Sequence, residues 1–296
     1  MLEKEKFFEK FAVEDAFEES ELKWEILQEI YDDYESRRTE IDNVCQTFER
    51  SLKDNLQEVS FHSIRCRSKD PDHLVEKIIR KRGIEHNYKY ANITAANYQE
   101  IIHDLIGVRI LLFAKEDWEA VFDRMIKLFS DSEGMLGCMA ERPVAYTRYG
   151  DRDIFKDKIH AEHSNKGYRS QHYIVKFQHY YCEIQVRTLS EEVYGEFDHM
   201  VKYPYRDQNK FLIRYTNTLS QLLDAVDELI STCFQMQADG WEKCNQYYEK
   251  DKYIDWKNIS QKTQKVRESQ TTVTDTETKE PVNMREFARN NLLRRR

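Results

Sequence analysis

Glycine and proline are scarce, at eight and four of 296 residues, so long stretches run without a breaker. No apolar run approaches the ~18 residues of a membrane span, because Lys and Glu interrupt every stretch. The opening MLEKEKFFEKF carries three acids and no apolar core, so no secretory signal is expected. Six cysteines form no C-x-x-C pair, which argues against a zinc site or a disulfide framework. Reduced thiols in a cytoplasmic chain are the expectation. There is no G-x-x-x-x-G-K-[ST] loop, no G-x-G-x-x-G and no G-x-S-x-G elbow, and no internal repeat.

Charge and aromatic bulk are abundant. Eighteen Tyr and fifteen Phe exclude global disorder, and the length suits one large domain or two modest ones. The net charge is −8 but is unevenly spread. Residues 1–60 hold 18 acids and 8 bases, 61–90 hold 8 bases and 4 acids, and 261–296 hold 9 bases and 5 acids. A basic island in an acidic chain points to a local anionic ligand.

Leu22, Ile26, Ile30 and Tyr34, then Ile41, Val44, Phe48 and Leu52, recur at helical spacing and predict one helix over 20–55. A strand is predicted at 59–67 and a helix from Pro71, capped by Asp70 and stopped by Gly83. Residues 94–104 read as helix, GVRILLF (107–113) as a buried strand and 115–129 as helix. Strands are predicted at 142–148, 169–177 and 179–188, the last two as a hairpin. Helices follow at 189–203 and 209–250, then a polar linker over 259–281 and a basic tail. This gives an α+β class: a mixed sheet of about five strands flanked by helices. The divisions are a helical extension (1–55), a central domain (56–205), a C-terminal helical region (206–258), and a linker with its tail (259–296).

Four polar clusters adjoin strands. In Arg65-Cys-Arg67-Ser68-Lys69 the two arginines share one strand face, and Lys77 and Lys81 share a helix face beyond it. Such convergence suits a polyphosphate; the alternative is a solvated basic helix beside two edge arginines. His103, Asp104, Gly107 and Arg109 stand at the entrance to the apolar strand, as a structural ion pair or as a metal carboxylate with a base-stacking arginine. Lys166-Gly-Tyr168-Arg-Ser-Gln-His172 puts Tyr168, Ser170 and His172 on one face. Glu183, Gln185 and Arg187 likewise share a face, either wet surface or the wall of a cleft. His62 and His73 read as surface or packing residues, and His160 and His163 lack a neighbouring Cys for a metal site.

Taken in order, R-x-R-S, D-L-x-G-V-R, G-Y-R-S-x-H, E-I-Q-V-R-T and D-H-x-x-K-Y (Asp198 to Tyr203) resemble the synthetase domain of the RelA/SpoT family, above all the small alarmone synthetases, over roughly residues 55–205. The resemblance implies a nucleotidyltransferase-like core. It also implies transfer of the β,γ-pyrophosphate of ATP to the ribose 3′-hydroxyl of GDP or GTP, releasing AMP. Asp104 and Glu183 would hold Mg²⁺, with Gln185 beside the attacking hydroxyl. Arg65 and Arg109 would sandwich the adenine, and Arg67, Ser68, Lys77, Lys81 and Arg187 would bind the ATP phosphates. Tyr168, His172 and His199 would face the acceptor. Ile159 stands where the family carries a stacking tyrosine, with Tyr146, Tyr149 or Phe155 as substitutes. That departure keeps other acceptors in view, the tRNA 3′ end or an adenine nucleotide, as in toxic relatives. A third reading is an inactive sensor. The helical arms are expected to serve oligomerisation or to gate the ATP cleft; the expected protein partner is a second copy (a homo-oligomer) or an antitoxin-like protein, with no membrane contact.

Overall fold

A computed structural model describes residues 2–238, excepting 131–133, 149–150, 152, 156–157, 165–166 and 203–208. Lys166, Tyr149, Tyr203, the 259–281 linker and the basic tail therefore lie outside the described residues.

Helices α1 (Lys4–Phe11) and α2 (Glu14–Ser20) precede the long α3 (Trp24–Asn55), whose predicted apolar stripe becomes its buried face. Strand β1 (Ser63–Ser68) follows, then α4 (Pro71–Gly83), a short α5 (Tyr98–Ile101), β2 (Ile106–Leu112) and α6 (Trp118–Leu128). Strands β3 (Cys138–Met139), β4 (Val144–Arg148), β5 (His160–Ser164), β6 (Ser170–Phe177) and β7 (Tyr180–Thr188) come next. Helices α7 (Leu189–Lys202) and α8 (Lys210–Ala238) close the described chain.

One mixed sheet runs in the order β1-β2-β7-β6-β4-β5, with β3 also pairing β6. The α+β class holds, and β3 and β5 take the sheet to seven strands. The unforeseen β5 reads HAEHS, an almost wholly exposed strand with no alternating apolar signal. Strands β2 and β7 run parallel, and β1 and β6 flank them antiparallel.

Alternation decides which face each side chain takes. On β7, Tyr180, Cys182, Ile184 and Val186 are buried, while Glu183 and Gln185 look the other way. The same alternation buries Ile106, Val108 and Ile110 on β2 and turns Gly107 and Arg109 outward. Helix α3 packs against β1, and its Phe48 stacks on Phe177 at 4.5 Å between centroids. Tyr34 donates its hydroxyl to the Lys69 carbonyl at 2.7 Å, anchoring the chain just beyond β1.

Several local readings change. Helix α4 starts as expected, with Asp70 Oδ1 accepting from the His73 amide at 3.2 Å and Pro71 in the first turn. Gly83, however, belongs to the helix. A Cβ there would meet the Ala16 carbonyl oxygen at 1.9 Å, so glycine allows α2 to approach α4. The helix expected over 94–104 shrinks to four residues. The Asn97 side chain accepts from the Thr94 amide at 2.8 Å, and such a local bond competes with helix. Asp104 thus sits in the turn before β2. The expectation of reduced thiols is also corrected: Cys45 on α3 and Cys66 on β1 form a disulfide, Cα atoms 5.8 Å apart. A pair 21 residues apart gives no spacing signal of its own.

Candidate active site

The outward faces of β1, β2 and β7, with α4 and α7, enclose a cleft of about 810 Å³. Register explains who meets whom. Arg65 lies opposite Arg109, and Arg109 opposite Gln185, which in turn faces His172. One rung along, Arg67 lies opposite Gly107, which neighbours Glu183. Seven cationic side chains line the cleft against five acidic ones, so it favours an anion.

Asp104 and Glu183 both line this cleft. Lys69 Nζ lies 2.7 Å from Asp104 Oδ2, and Lys77 Nζ 2.8 Å from Oδ1. Burial alone would push this carboxyl up, yet the two ammonium groups outweigh it and hold it well below the usual carboxylate range. Lys69 is itself lowered, because desolvation exceeds the help from Asp104, whereas Lys77 is raised. Burial likewise pushes Glu183 up, but its bond to His172 prevails and its carboxyl is lowered.

Both oxygens of Glu183 are held. His172 Nδ1 lies 3.0 Å from Oε1, and Gln185 Nε2 donates to Oε2 at 2.7 Å. Behind them, Arg187 Nη2 donates to Gln185 Oε1 at 2.7 Å and to the Tyr168 hydroxyl, which meets His172 Nε2 at 2.9 Å. Arg187 therefore orients two partners of Glu183 at once. It is only 5% exposed and lines a separate cavity of about 200 Å³ with Tyr146, Arg169 and Glu191. The structure does not bring Arg187 into the main cleft with the other expected phosphate ligands. A Cβ at Gly195 would meet Arg187 Nη1 at 2.8 Å, so that glycine makes room for the guanidinium.

Arg65, Arg67, Ser68, Lys77, Lys81 and Arg109 all line the main cleft. Arg109 is tied to Glu192 at 2.6 Å and to Glu196, which fixes its plane. Arg65 and Arg67 are exposed and make no ion pair among the described residues. The Ser68 hydroxyl is committed to Asp42 at 2.5 Å, and Lys81 to Glu85 at 2.5 Å. His199 lines the same cleft as Arg67, apart from Tyr168 and His172. Burial and the nearby Arg67 and Arg109 lower its imidazole against the pull of Glu196, favouring the neutral form.

Ile159 is buried, and so is Phe155, whose ring meets Trp118 at 4.9 Å. Tyr146 on β4 is half-buried, with its ring 4.9 Å from that of His172. Lys69 and Glu192 also line the cleft, and Glu196 holds Arg109; none of the three stands among the site residues that the resemblance implies. The two glutamates stand four apart on the helix directly after β7, a spacing visible in the sequence but common on any wet helix face.

Asp104 and Glu183 supply the oxygen-donor chemistry that a hard divalent cation takes. Here, however, Lys69, Lys77, His172 and Gln185 occupy their oxygens, and no group of three or more possible ligands is found among the described residues. Both carboxylates are ionised oxygen donors in one cleft, and Asp104 raises Glu183, the repulsion that a shared dication relieves.

Residues 66–208 match the model of the region found in RelA / SpoT proteins. No curated protein matches the chain. Among solved structures, small alarmone synthetase 1 from Bacillus subtilis shares 17% identity, covering 71% of this chain and 100% of its own, with a TM-score of 0.50. The smu.1046c protein of Streptococcus mutans UA159 shares 18% identity over 70% of this chain and 94% of its own, at a TM-score of 0.49. A GTP pyrophosphokinase family protein from Streptococcus pneumoniae shares 17% over 71% and 93%, at 0.47. At such identities the first likeness shows a common fold.

Proposed function

We propose, from the premise that residues 66–208 form a RelA/SpoT-family domain, that the chain is an ATP-dependent pyrophosphokinase making (p)ppGpp from GDP or GTP. The observation that carries this reading is that Asp104 and Glu183, distant in sequence, line one cationic cleft with Arg65, Arg67 and Lys77.

ATP enters with its adenine between Arg109, whose plane Glu192 and Glu196 hold, and the exposed Arg65, since guanidinium planes stack on bases. Arg67, Lys77 and Lys81 spread over the triphosphate. Asp104 and Glu183 are the residues that would hold Mg²⁺, which when bound supplies charge neutralisation for the transferring group. The acceptor 3′-hydroxyl oxygen attacks the β-phosphorus, a bond forms there, the α–β bridging bond breaks with AMP as leaving group, and the hydroxyl proton passes to solvent. Glu183, held below its ordinary pKa, is a weak base and a good acceptor. Its part is to orient the hydroxyl beside Gln185, with His172, Tyr168 and Arg187 keeping its carboxylate in place. Positioning and charge carry the rate, as in phosphoryl transfer generally. With Ile159 buried, Tyr146 is the platform for the acceptor base.

The test incubates the protein with γ-labelled ATP and Mg²⁺ and, separately, GDP, GTP, ADP, ATP and tRNA. Label in a guanosine product is expected. Label in an adenosine product or tRNA alone would move the acceptor, and no transfer to any of them would overturn the enzymatic reading.

A further inference from the structure

Strand β1 stands at the end of the sheet and, among the described residues, pairs with β2 alone. Helix α3 holds it from the other side at three points. Asp42 Oδ1 accepts from the Ser68 hydroxyl at 2.5 Å, Glu49 Oε2 accepts from the Cys66 amide at 2.8 Å, and Cys45 is bonded to Cys66. Asp42, Cys45 and Glu49 are three and four residues apart, so one face of the helix presents all of them. Two of the ties end on Cys66 itself. Arg65 and Arg67, on either side of it, leave the strand by its opposite face and line the cleft. The sulfur–sulfur bond therefore acts on the stretch of strand that carries two cleft cations.

Two observations mark this bond as a site of exchange instead of a staple on which the fold depends. The first is the core. Disulfides are indispensable where a small chain cannot bury enough apolar surface. Here Ile30, Tyr34, Ile41, Phe48 and Leu52 of α3 are all 0% exposed, so the helix keeps its seat when the bond opens. The second is access. Cys66 is part-exposed and lines the cleft, whereas Cys45 is 5% exposed, so an incoming thiolate meets the Cys66 sulfur. Cys138, Cys182 and Cys233 are free, and burial pushes the Cys182 thiol up to about 12, which keeps it out of such chemistry.

We propose that Cys45 and Cys66 form a reversible dithiol–disulfide site for a low-molecular-weight thiol of the glutathione class, and that its state sets the order of β1 and of the two arginines on it. Opening takes two small thiols. The first, as its thiolate, attacks Cys66 Sγ: a mixed disulfide forms there, the bond to Cys45 breaks, and Cys45 leaves with the electron pair and takes up a proton. The second thiolate attacks the small-molecule sulfur of that mixed disulfide. The small disulfide departs, and Cys66 is left as a thiolate that takes up a proton. The protein gains two electrons, and two small thiols become one disulfide; closure runs the same steps backwards, with the small disulfide as oxidant. The effect on ATP rests on the pyrophosphokinase reading, whereas the exchange and the order of the strand do not.

The test equilibrates the full chain at fixed ratios of reduced to oxidised glutathione. Alkylation with peptide mass spectrometry reads the thiols, and amide exchange reads the strand. The Cys45–Cys66 pair is expected to pass from linked to doubly alkylated as reduced glutathione rises. Exchange over 63–68 is expected to quicken by about tenfold in the reduced protein, since an edge strand that loses a tie opens more often. Cys45→Ser should show the reduced rate in every buffer, and Cys138→Ser should respond as wild type does. Should Cys45→Ser fail to fold, wild type reduced with dithiothreitol supplies the same comparison. The KM for ATP is expected to rise by about tenfold on reduction, as preorganisation of the arginines is lost. A pair that never links, a link that a large excess of reduced glutathione leaves closed, or strand exchange indifferent to its state would each overturn the site. An ATP KM equal in the two states of an active protein would overturn its hold on the arginines. If the strand responds and neither state makes AMP, the site stands and the pyrophosphokinase reading falls.

Discussion

Replacing Asp104 by Asn removes the carboxylate that both Lys69 and Lys77 grip, at 2.7 and 2.8 Å. Truncating one member of a fully buried ion pair costs about 3–5 kcal/mol, because the partner's charge stays behind. Here the three side chains keep 17–20% of their exposure, so water screens part of that loss. A destabilisation of about 1–3 kcal/mol near neutral pH is therefore expected. Lys69 is already lowered by desolvation, and without Asp104 it falls further. The native state of the variant then binds fewer protons than its unfolded state, so the penalty shrinks as pH rises. Activity behaves differently. Losing a charge that acts on the transferring group should cost at least about 100-fold in AMP formation at every pH. Urea unfolding at neutral and alkaline pH, paired with chromatographic assay of AMP, separates the two effects. The double variant Lys69→Met with Asp104→Asn should recover much of the stability and none of the turnover. A stability change below about 0.5 kcal/mol would refute the ion-pair reasoning. Turnover within about tenfold of wild type would remove Asp104 from the chemistry.

Three further outcomes are expected. Arg65→Ala should raise the apparent KM for ATP by about tenfold, one stacking contact's worth, and leave that for the acceptor nearly unchanged; an effect confined to the acceptor would mean the two sides are reversed. Tyr146→Ala should raise the acceptor KM while Tyr146→Phe should not, and equal behaviour of the two would remove the ring from that role. Thr188 and Glu191 form a reciprocal cap on α7, the Glu191 amide donating to Thr188 Oγ1 at 3.1 Å and Glu191 Oε2 accepting from the Thr188 amide at 2.8 Å. Burial pushes the Glu191 carboxyl up to about 6, so the native state holds its proton longer than the unfolded state does. Stability should then fall by up to about 2 kcal/mol as pH rises from the ordinary carboxylate range through 6, and Glu191→Gln should flatten that slope in a set of denaturant melts.

The elements with strong periodicity were legible from the amino acids alone. Helix α3 carries its apolar stripe without interruption, and β2 and β7 alternate or run apolar as buried strands do. The turn around Thr94 and Asn97 was not legible as such, because a side-chain bond there overrides a helical pattern. Strand β5 gave no signal, since an exposed strand of HAEHS has no apolar face to reveal it. In the candidate site, alternation alone put Glu183 with Gln185 and Arg65 with Arg67. What it could not show is the path of a long side chain after its Cβ. Arg187 starts on the same strand face as Glu183, yet its guanidinium is taken up by Gln185, Tyr168 and Glu192 in the space that Gly195 leaves and does not line the main cleft. That α8 buries Ser220 and Asp227 and exposes Leu222 and Leu229 was hidden for a related reason: helical spacing shows that a stripe exists, and only packing shows whether it faces inward.

The adenine product of the reaction tests the central claim most directly. Wild type incubated with ATP, Mg²⁺ and a guanosine acceptor should release AMP in step with loss of acceptor, and Glu183→Gln should release almost none while keeping its fold. Accumulation of ADP in place of AMP, or AMP release that survives unchanged in the Glu183→Gln variant, would contradict the account of two carboxylates serving a single pyrophosphoryl transfer.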